Sequence, residues 1–358
     1  MLSGVQLIEK LCLAFGPTGC EEPVANIIRA ELAGTRAEIS SDRMGNLIAH
    51  LPGPAGAPRV MLSAHMDEVG FMITDIEEKG FLRFSCLGGI DPRVLAGRLV
   101  NVGDGGKTVP GIIAALGIHF MDREDRKKVP EIDGLFIDIG ADSREAAEKL
   151  VAIGDYGTFD TPFAVFGQND GWVKGKALDD RAGCAVLIEV LRALEKSSPC
   201  LDLYFCFTVR EEIGLSGASV TAHRIAPDFS IVVETTAIAD LPGVPDARRV
   251  ADVGSGGVLS LMDNGTIYNR AFVDFALQTG RKNDIPVQVK RYVSGGNDAK
   301  HIQRSGAGVR CMALSAPTRY LHAPVSVAAL SDITAIRDLL TAMLTEQQKE
   351  GNPLCTQR

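Results

Sequence analysis

The sequence lacks the features that mark a membrane protein or a nucleic-acid-binding protein. No window approaches the roughly 20 consecutive apolar residues that a membrane-spanning helix requires. Basic residues are in the minority, since 37 Lys and Arg stand against 45 Asp and Glu, which gives a net charge of −8. A negative surface repels the phosphate backbone of nucleic acids. We therefore expect neither a membrane nor a nucleic acid as a partner.

Signals for secretion and for thiol chemistry are missing as well. The opening stretch MLSGVQLIEKLCLAFG has no charged segment ahead of its apolar part, so no signal peptide is expected. The eight cysteines include no CxxC pair, and most stand in apolar runs such as LYFCFTV and GVRCMAL. Cysteines in such runs behave as small hydrophobic residues. The sequence therefore predicts reduced, structural cysteines in a cytoplasmic protein.

Two common catalytic loops are absent too. The stretch GLSGAS (214–219) does not have the GxSxG spacing of a serine nucleophile elbow. The stretch VGDGGK has the composition of a phosphate-binding loop but neither its spacing nor a following helix. No cysteine has a plausible general base beside it, so thiol catalysis is not expected.

Alternating apolar strands and amphipathic helices are present at both ends of the chain. RVMLSAH, LDLYFCFTV, FSIVVETT and GVRCMALSAP are nearly continuous apolar strands, which favours a mainly parallel, doubly wound α/β sheet. Residues 70–165 instead alternate short apolar pieces with Gly-rich turns, as in a small β-barrel. We therefore predict a catalytic domain formed by residues 1–69 and 166–358, with a β-rich domain inserted at residues 70–165.

Polar side chains stand where the apolar strands stop. In an open α/β sheet, ligands bind beyond the carboxyl ends of the strands. Five sets occupy such positions, namely His65 with Asp67, Asp179 with Asp180, Glu211 with Glu212, Glu234, and His322. Each set alone has an ordinary explanation, such as a helix cap for paired aspartates. Together they indicate one polar crevice.

A pair of metal ions would explain this crevice. Carboxylates gathered in one place repel one another and need cations to stay ionised. Zinc binds imidazole nitrogen and carboxylate oxygen, and two metals roughly 3.5–4 Å apart can share a carboxylate and a water. Asp67 follows His65 by two residues, so it can orient that imidazole or a neighbouring ligand. For His119, in the predicted insertion, a structural role is favoured over a role in the site.

The sequence resembles the tetrahedral aminopeptidases, the group that includes glutamyl and deblocking aminopeptidases. The motifs that carry the resemblance are, in order, SAHMDEVGF, KALDDRAG, REEIGLSGA, VVETTAIADLPG, SGGNDA and PTRYLHAPVSV. The resemblance implies an inserted β-rich dimerisation domain, and dimers that assemble into a hollow tetrahedral dodecamer. It also implies two divalent metals, zinc or cobalt, that serve to remove N-terminal residues from short peptides. Manganese would also suit histidine and carboxylate ligands.

The resemblance also implies which side chains bind the metals. It places His65 and Glu212 on the first metal, Glu234 and His322 on the second, and Asp179 as the bridge between them. Asp180 is the alternative bridge, because the choice between the two aspartates rests on the alignment of one motif.

Two further roles and two departures follow from the same resemblance. Asp67 would support His65, and Glu211 would act as the general base. Glu234 stands where the family commonly has aspartate, and Asn297 stands where threonine is more usual. The longer Glu234 side chain changes how its metal would be held.

Other functions remain open at the level of sequence. A two-metal carboxypeptidase or N-acyl deacylase on the same fold would use the same ligands and differ in what holds the far end of the substrate. A non-catalytic peptide-binding or assembly module is a second alternative, which the intact Glu211 disfavours. A two-carboxylate glycosidase is a third, but it would not need the histidines. The preferred first residue of the substrate is not determined.

Overall fold

The computed structural model describes residues 2–196 and 200–345 of the chain. Cys355 and the last part of the predicted closing helix lie outside the described residues. The first segment holds α1 (Gly4–Leu13), α2 (Glu22–Leu32), β1 (Glu38–Ser41), β2 (Leu47–Leu51) and β3 (Arg59–His65). Helix α1 is amphipathic, because Leu7, Ile8 and Leu11 fall on one face, and that face is buried.

A closed six-stranded barrel follows directly on this segment. Its elements are β4 (Gly70–Ile76), β5 (Leu82–Leu87), β6 (Leu99–Gly103), β7 (Thr108–Ala114), β8 (Phe136–Asp138), α3 (Arg144–Glu148) and β9 (Tyr156–Phe159). Phe71 fills its centre, with the ring centroids of Phe84 and Phe159 each 5.1 Å away in edge-to-face contact. The barrel therefore has its own hydrophobic core.

The remaining chain returns to α/β structure. Its elements are β10 (Ala164–Phe166), β11 (Trp172–Gly175), α4 (Leu178–Leu194), β12 (Asp202–Thr208), α5 (Ser216–Ile225), β13 (Phe229–Ala237), β14 (Gly257–Leu259), α6 (Arg270–Lys282), β15 (Val287–Val289), α7 (Ala299–Ile302), β16 (Arg310–Arg319), β17 (Ser326–Ala329) and α8 (Leu330–Thr345). In the described part of the chain, every helix is too short or too polar to cross a membrane.

The α/β class and the inserted barrel are confirmed, and the sheet is parallel at its centre. Its strand order is β1-β2-β12-β3-β13-β16-β17-β11-β10, and β14 and β15 extend from β16. The four central strands β12, β3, β13 and β16 run parallel, whereas β1, β2, β17, β11 and β10 pair antiparallel at the two flanks. Short connections join several flanking strands, and a short connection permits only antiparallel pairing.

Helices cover both faces of the sheet. Along β3, Val60, Leu62 and Ala64 face the main core with α1, α4 and α8, while Met61 faces the opposite layer with α5 and α7. This alternation follows from the two-residue period of a strand. Both faces of the sheet are buried. Solvent can therefore reach the polar groups that end the central strands only from the carboxyl ends of those strands.

A buried ion network joins the barrel to the sheet. The carboxylate of Glu68, between β3 and β4, lies 2.6 Å from Lys176 Nζ and 3.3 Å from Arg181 Nη2. It also accepts a hydrogen bond of 2.9 Å from the Thr158 hydroxyl of β9. Only 2% of Glu68 is exposed. The charge of Glu68 is therefore balanced by two cationic side chains.

Removing Glu68 should strongly destabilise the fold. A Glu68→Ala substitution leaves Lys176 and Arg181 buried without their carboxylate, which costs about 3–5 kcal/mol of the free energy of unfolding. Urea unfolding of the metal-free protein measures this loss. Glu78→Ala is the control, because Glu78 is 85% exposed beside Arg144, and a surface ion pair contributes little. Equal midpoints for both variants would contradict the role assigned to this network.

Candidate metal centre

Strand register brings two predicted site residues to the same level. His65 is the last residue of β3 and pairs with Thr208, the last residue of β12. On the other side, Ser63 of β3 pairs with Val232 of β13, so Glu234 stands level with His65. All these positions lie at the carboxyl end of the parallel strands, the usual location for ligands in this type of sheet.

Five of the predicted side chains form two groups that share one residue. In each group the nitrogen and oxygen atoms that could bind a metal lie within 4.8 Å of one another, and the groups are His65 with Asp179 and Glu234, and Asp179 with Glu212 and His322. One imidazole and two carboxylates per group is a donor set suited to a divalent cation such as zinc.

Asp179 lies between the two histidines. Its Oδ1 atom is 3.3 Å from His65 Nε2, and its Oδ2 atom is 3.4 Å from His322 Nε2. Oδ1 is buried and receives no hydrogen bond. Asp180 differs in one oxygen, because its Oδ1 atom accepts a hydrogen bond of 3.0 Å from the backbone N–H of Gly183, while its buried Oδ2 atom has no hydrogen-bond partner. Asp179 thus presents one oxygen to each group.

The two glutamates lie beside different histidines than the resemblance implies. The resemblance placed Glu212 with His65 and Glu234 with His322, but Glu234 Oε1 lies 4.0 Å from His65 Nε2 and Glu212 Oε2 lies 3.4 Å from His322 Nε2. Glu234 lies within β13, level with His65 of the adjacent β3, whereas Glu212 lies in the loop four residues after β12, which also adjoins β3.

Asp67 is a buried carboxylate that holds the loop after β12. Its Oδ1 atom accepts a hydrogen bond of 3.0 Å from the backbone N–H of Glu211, and its Oδ2 atom accepts one of 3.1 Å from that of Glu212. The Thr18 hydroxyl donates a further bond of 2.8 Å to Oδ2. Nδ1 of His65 lies 3.5 Å from Oδ1 and 3.1 Å from the backbone carbonyl oxygen of Asp67. Asp67 thus fixes both the imidazole and the glutamate pair.

An Asp67→Asn substitution should weaken metal binding without removing a ligand. The amide NH2 cannot accept the hydrogen bonds that one carboxylate oxygen accepts now, so His65 and the loop lose part of their support. Losses of roughly 10–100-fold in metal affinity or activity are typical for groups that orient metal ligands. Competition with a zinc chelator measures the affinity, and Thr18→Val should cost less because it removes one hydrogen bond. Unchanged affinity in Asp67→Asn would contradict this role.

Glu211 stands in the site but outside both groups. It lines the same cavity as His65, Asp179, Glu234 and His322. Burial raises the pKa of Glu211 well above its ordinary value, and the nearby carboxylate of Asp298 raises it further. A carboxylate with a raised pKa, next to a metal centre but not part of it, is the usual arrangement for a general base.

Three other carboxylates of the site also hold protons more tightly than usual. Burial raises the pKa of Glu212 to about 7, and burial with the neighbouring Glu211 raises that of Glu234 well above its ordinary value. Burial raises the pKa of Asp180 as well. Buried carboxylates in such proximity favour protonation unless cations balance them.

The histidines and Asp179 instead favour their charged forms. Burial lowers the pKa of His65 and His322, but contact with Asp179 outweighs it, so that of His65 rises well above its ordinary value and that of His322 rises to about 9. The same contacts hold the pKa of Asp179 far below its usual range, although burial opposes them. The site therefore binds protons at the positions where divalent cations would bind. Its imidazole and carboxylate side chains are suited to bind a metal.

The structure adds several residues to the site that no sequence pattern marks as functional. Asp298 is buried, and its Oδ2 atom accepts a hydrogen bond of 2.8 Å from the Thr208 hydroxyl. It belongs to the SGGNDA motif, in which the resemblance singles out only Asn297. Lys290 lines the cavity from the loop after β15, where no sequence pattern marked it. His119 is exposed between β7 and β8 and does not line this cavity.

The chain is similar to known proteins over most of its length. Residues 45–339 match the M42 glutamyl aminopeptidase family. The Escherichia coli (strain K12) protein FrvX is 36% identical over 343 residues, which cover 95% of each chain. The lysyl aminopeptidase of Pyrococcus furiosus is 32% identical and covers 95% of this chain and 96% of its own.

A solved structure shares the fold as well. The Pyrococcus horikoshii TET1 peptidase, described as able to assemble into a tetrahedron or a large octahedral shell, superposes with a TM-score of 0.85. It is 35% identical and covers 95% of this chain and 98% of its own. The family match, the similarity to FrvX and the shared fold all agree. The chain therefore belongs to the M42 glutamyl aminopeptidase family.

Proposed function

We propose that this metal-dependent aminopeptidase removes N-terminal residues from short peptides at a two-metal centre on the carboxyl ends of β3, β12 and β13. The observation that carries the proposal is the position of Asp179, which turns one carboxylate oxygen toward each histidine. Two separate donor groups joined by one carboxylate fit two cations better than one. The exopeptidase activity itself is supported by membership of the M42 family.

The proposed ligands follow the two groups seen in the structure. The first ion would be held by His65, Asp179 and Glu234, and the second by Asp179, Glu212 and His322. The buried Oδ1 atom of Asp179, which receives no hydrogen bond, fits this role. Zinc, cobalt and manganese all suit imidazole and carboxylate donors, and we propose zinc or cobalt on the basis of the family resemblance.

The chemistry divides between the ions and the side chains of this chain. When bound, the two ions would lower the pKa of a bound water and polarise the scissile carbonyl. Glu211 would accept the proton of the attacking water and return it to the leaving amine. Asp67 would keep Glu211 in place through its hydrogen bond to the Glu211 backbone N–H.

We also propose a homo-oligomer in which residues 70–165 form the dimerisation domain. Leu99 and Ile112 face each other across β6 and β7 and are 54% and 47% exposed, so the barrel offers apolar surface to a partner copy. Assembly of dimers into a tetrahedral dodecamer is proposed from the similar TET1 peptidase. The buried thiols of Cys12, Cys184 and Cys206 suit the proposed cytoplasmic location.

Peptides that differ only at the N-terminus test the proposed function. The purified protein, supplied with zinc or cobalt, is incubated with short peptides in free and N-acetylated form, and the products are analysed by mass spectrometry. Stepwise loss of N-terminal residues from the free peptides only, abolished by a chelator, is the expected result. Cleavage at the C-terminus, or of acylated substrates only, would overturn it in favour of a carboxypeptidase or a deacylase.

A further inference from the structure

The metal centre opens into one cavity of about 250 Å³. Its ionisable lining residues at the metal centre are His65, Asp179, Glu211, Glu234 and His322, and the others are Asp263 and Lys290. In an aminopeptidase the carbonyl of the first substrate residue must lie at the metals. The side chain of that residue then has to occupy the adjoining space. The groups that line the rest of this cavity therefore determine which first residue is accepted.

The carboxylate of Asp263 is already hydrogen-bonded within the protein. Its Oδ1 atom accepts hydrogen bonds of 2.7 Å from the backbone N–H groups of Gly265 and Thr266, and its Oδ2 atom accepts one from the Tyr268 hydroxyl. The carboxylate is 97% buried, since only 3% of Asp263 is exposed. Its oxygens thus hold the turn after β14 in place, and they are already satisfied by three donors.

Lys290 has the opposite character. Its ammonium donates one hydrogen bond of 2.7 Å, to the backbone carbonyl of Ser294. An ammonium group has three donors, so two remain available to a ligand. Among the described residues no carboxylate lies within ion-pair distance of Nζ. Burial lowers the pKa of Lys290, although the charges of Asp263 and Glu234 act in the opposite direction.

We propose that Lys290 selects substrates whose first residue is acidic, by pairing its ammonium with the side-chain carboxylate of that residue. This inference rests on the proposed aminopeptidase function and goes beyond family membership. The family description names a glutamyl enzyme, whereas one relative at 32% identity is named as a lysyl enzyme. Family membership therefore does not fix the preference, and the residues that line the cavity of this chain do.

Peptides that begin with glutamate or glutamine isolate the charge, because the two side chains have nearly the same size. The metal-loaded, full-length protein is expected to hydrolyse freshly dissolved Glu-first peptides with a kcat/KM roughly 10- to 100-fold above that of Gln-first peptides, as one charge-assisted hydrogen bond allows. Lys290→Met should bring this ratio close to one. Lys290→Glu should reverse it and favour Lys-first peptides, while Lys290→Arg should preserve it.

Controls separate this proposal from folding effects and from the proposed function. Lys79→Met removes an exposed lysine of the barrel and should leave the ratio unchanged. Metal content and the thermal unfolding midpoint check that each Lys290 variant is folded. Equal hydrolysis of Glu-first and Gln-first peptides by the unmodified protein, or an unchanged ratio in Lys290→Met, would overturn the role of Lys290 alone. No release from any free peptide, a Leu-first peptide included, would overturn the aminopeptidase function and this inference with it.

Discussion

Glu211→Gln is expected to retain its metal and to lose turnover by roughly 10²–10⁴-fold, the usual contribution of a general base. The amide has nearly the same shape as the carboxylate but cannot accept a proton. Glu211 belongs to neither metal-binding group, so its replacement removes no ligand. The backbone N–H that bonds to Asp67 is also unchanged. Metal analysis and steady-state kinetics on the same preparation measure both effects.

The neighbouring residue supplies the matched control. Glu212→Gln changes an adjacent carboxylate by the same atoms, but Glu212 Oε2 lies 3.4 Å from His322 Nε2 within a metal-binding group. We expect this variant to lose metal first and activity as a consequence, so that excess zinc restores part of its turnover. Zinc should not restore Glu211→Gln. Near-normal turnover in Glu211→Gln would remove Glu211 from the role of general base.

Asp179→Ala is expected to abolish metal binding in both groups and to reduce activity below detection. Asp179 is the only residue common to the two groups, so its loss leaves one histidine and one glutamate in each. His322→Ala should be milder, since it leaves His65, Asp179 and Glu234 intact. Metal per subunit, measured by inductively coupled plasma mass spectrometry after dialysis, should fall from two to near zero in the first variant and to one in the second.

Asp180→Asn tests the alternative bridge. Asp180 is held by the backbone N–H of Gly183, and the Asn side chain can keep that hydrogen bond through its carbonyl oxygen. We expect Asp180→Asn to bind two metals per subunit, although its site is disturbed locally. Loss of both metals in Asp180→Asn, together with retention in Asp179→Ala, would exchange the roles of the two aspartates.

The general position of the site could be predicted from the sequence, because strand ends are visible in it. Apolar runs that stop at His65, Thr208 and near Glu234 indicate where parallel strands end. The carboxyl ends of parallel strands lie together at the same end of the sheet. The order of the strands across the sheet is not visible in the same way. The pairing of Glu212 and Glu234 with the two histidines depends on that order, so the sequence did not determine it.

Polar residues inside the apolar pattern were only partly understood from the sequence. Glu68 stands in the same motif as His65 and Asp67, yet Lys176 and Arg181 balance its charge. Those partners are more than 100 residues away along the chain, and periodicity carries no information about contacts of that range. Lys290 illustrates the same limit, since its place beside the metal centre depends on the path of the loop after β15.

Titration of the metal-free protein with zinc tests whether the site is a two-metal aminopeptidase centre. The protein is stripped with a chelator, zinc is added in steps, and both bound zinc and release of the first residue from a free peptide are measured. No release is expected without metal, and the rate should reach its maximum at two zinc ions per subunit. Full release by the metal-free protein, or binding of two ions with no release from any free peptide, would contradict a two-metal aminopeptidase centre.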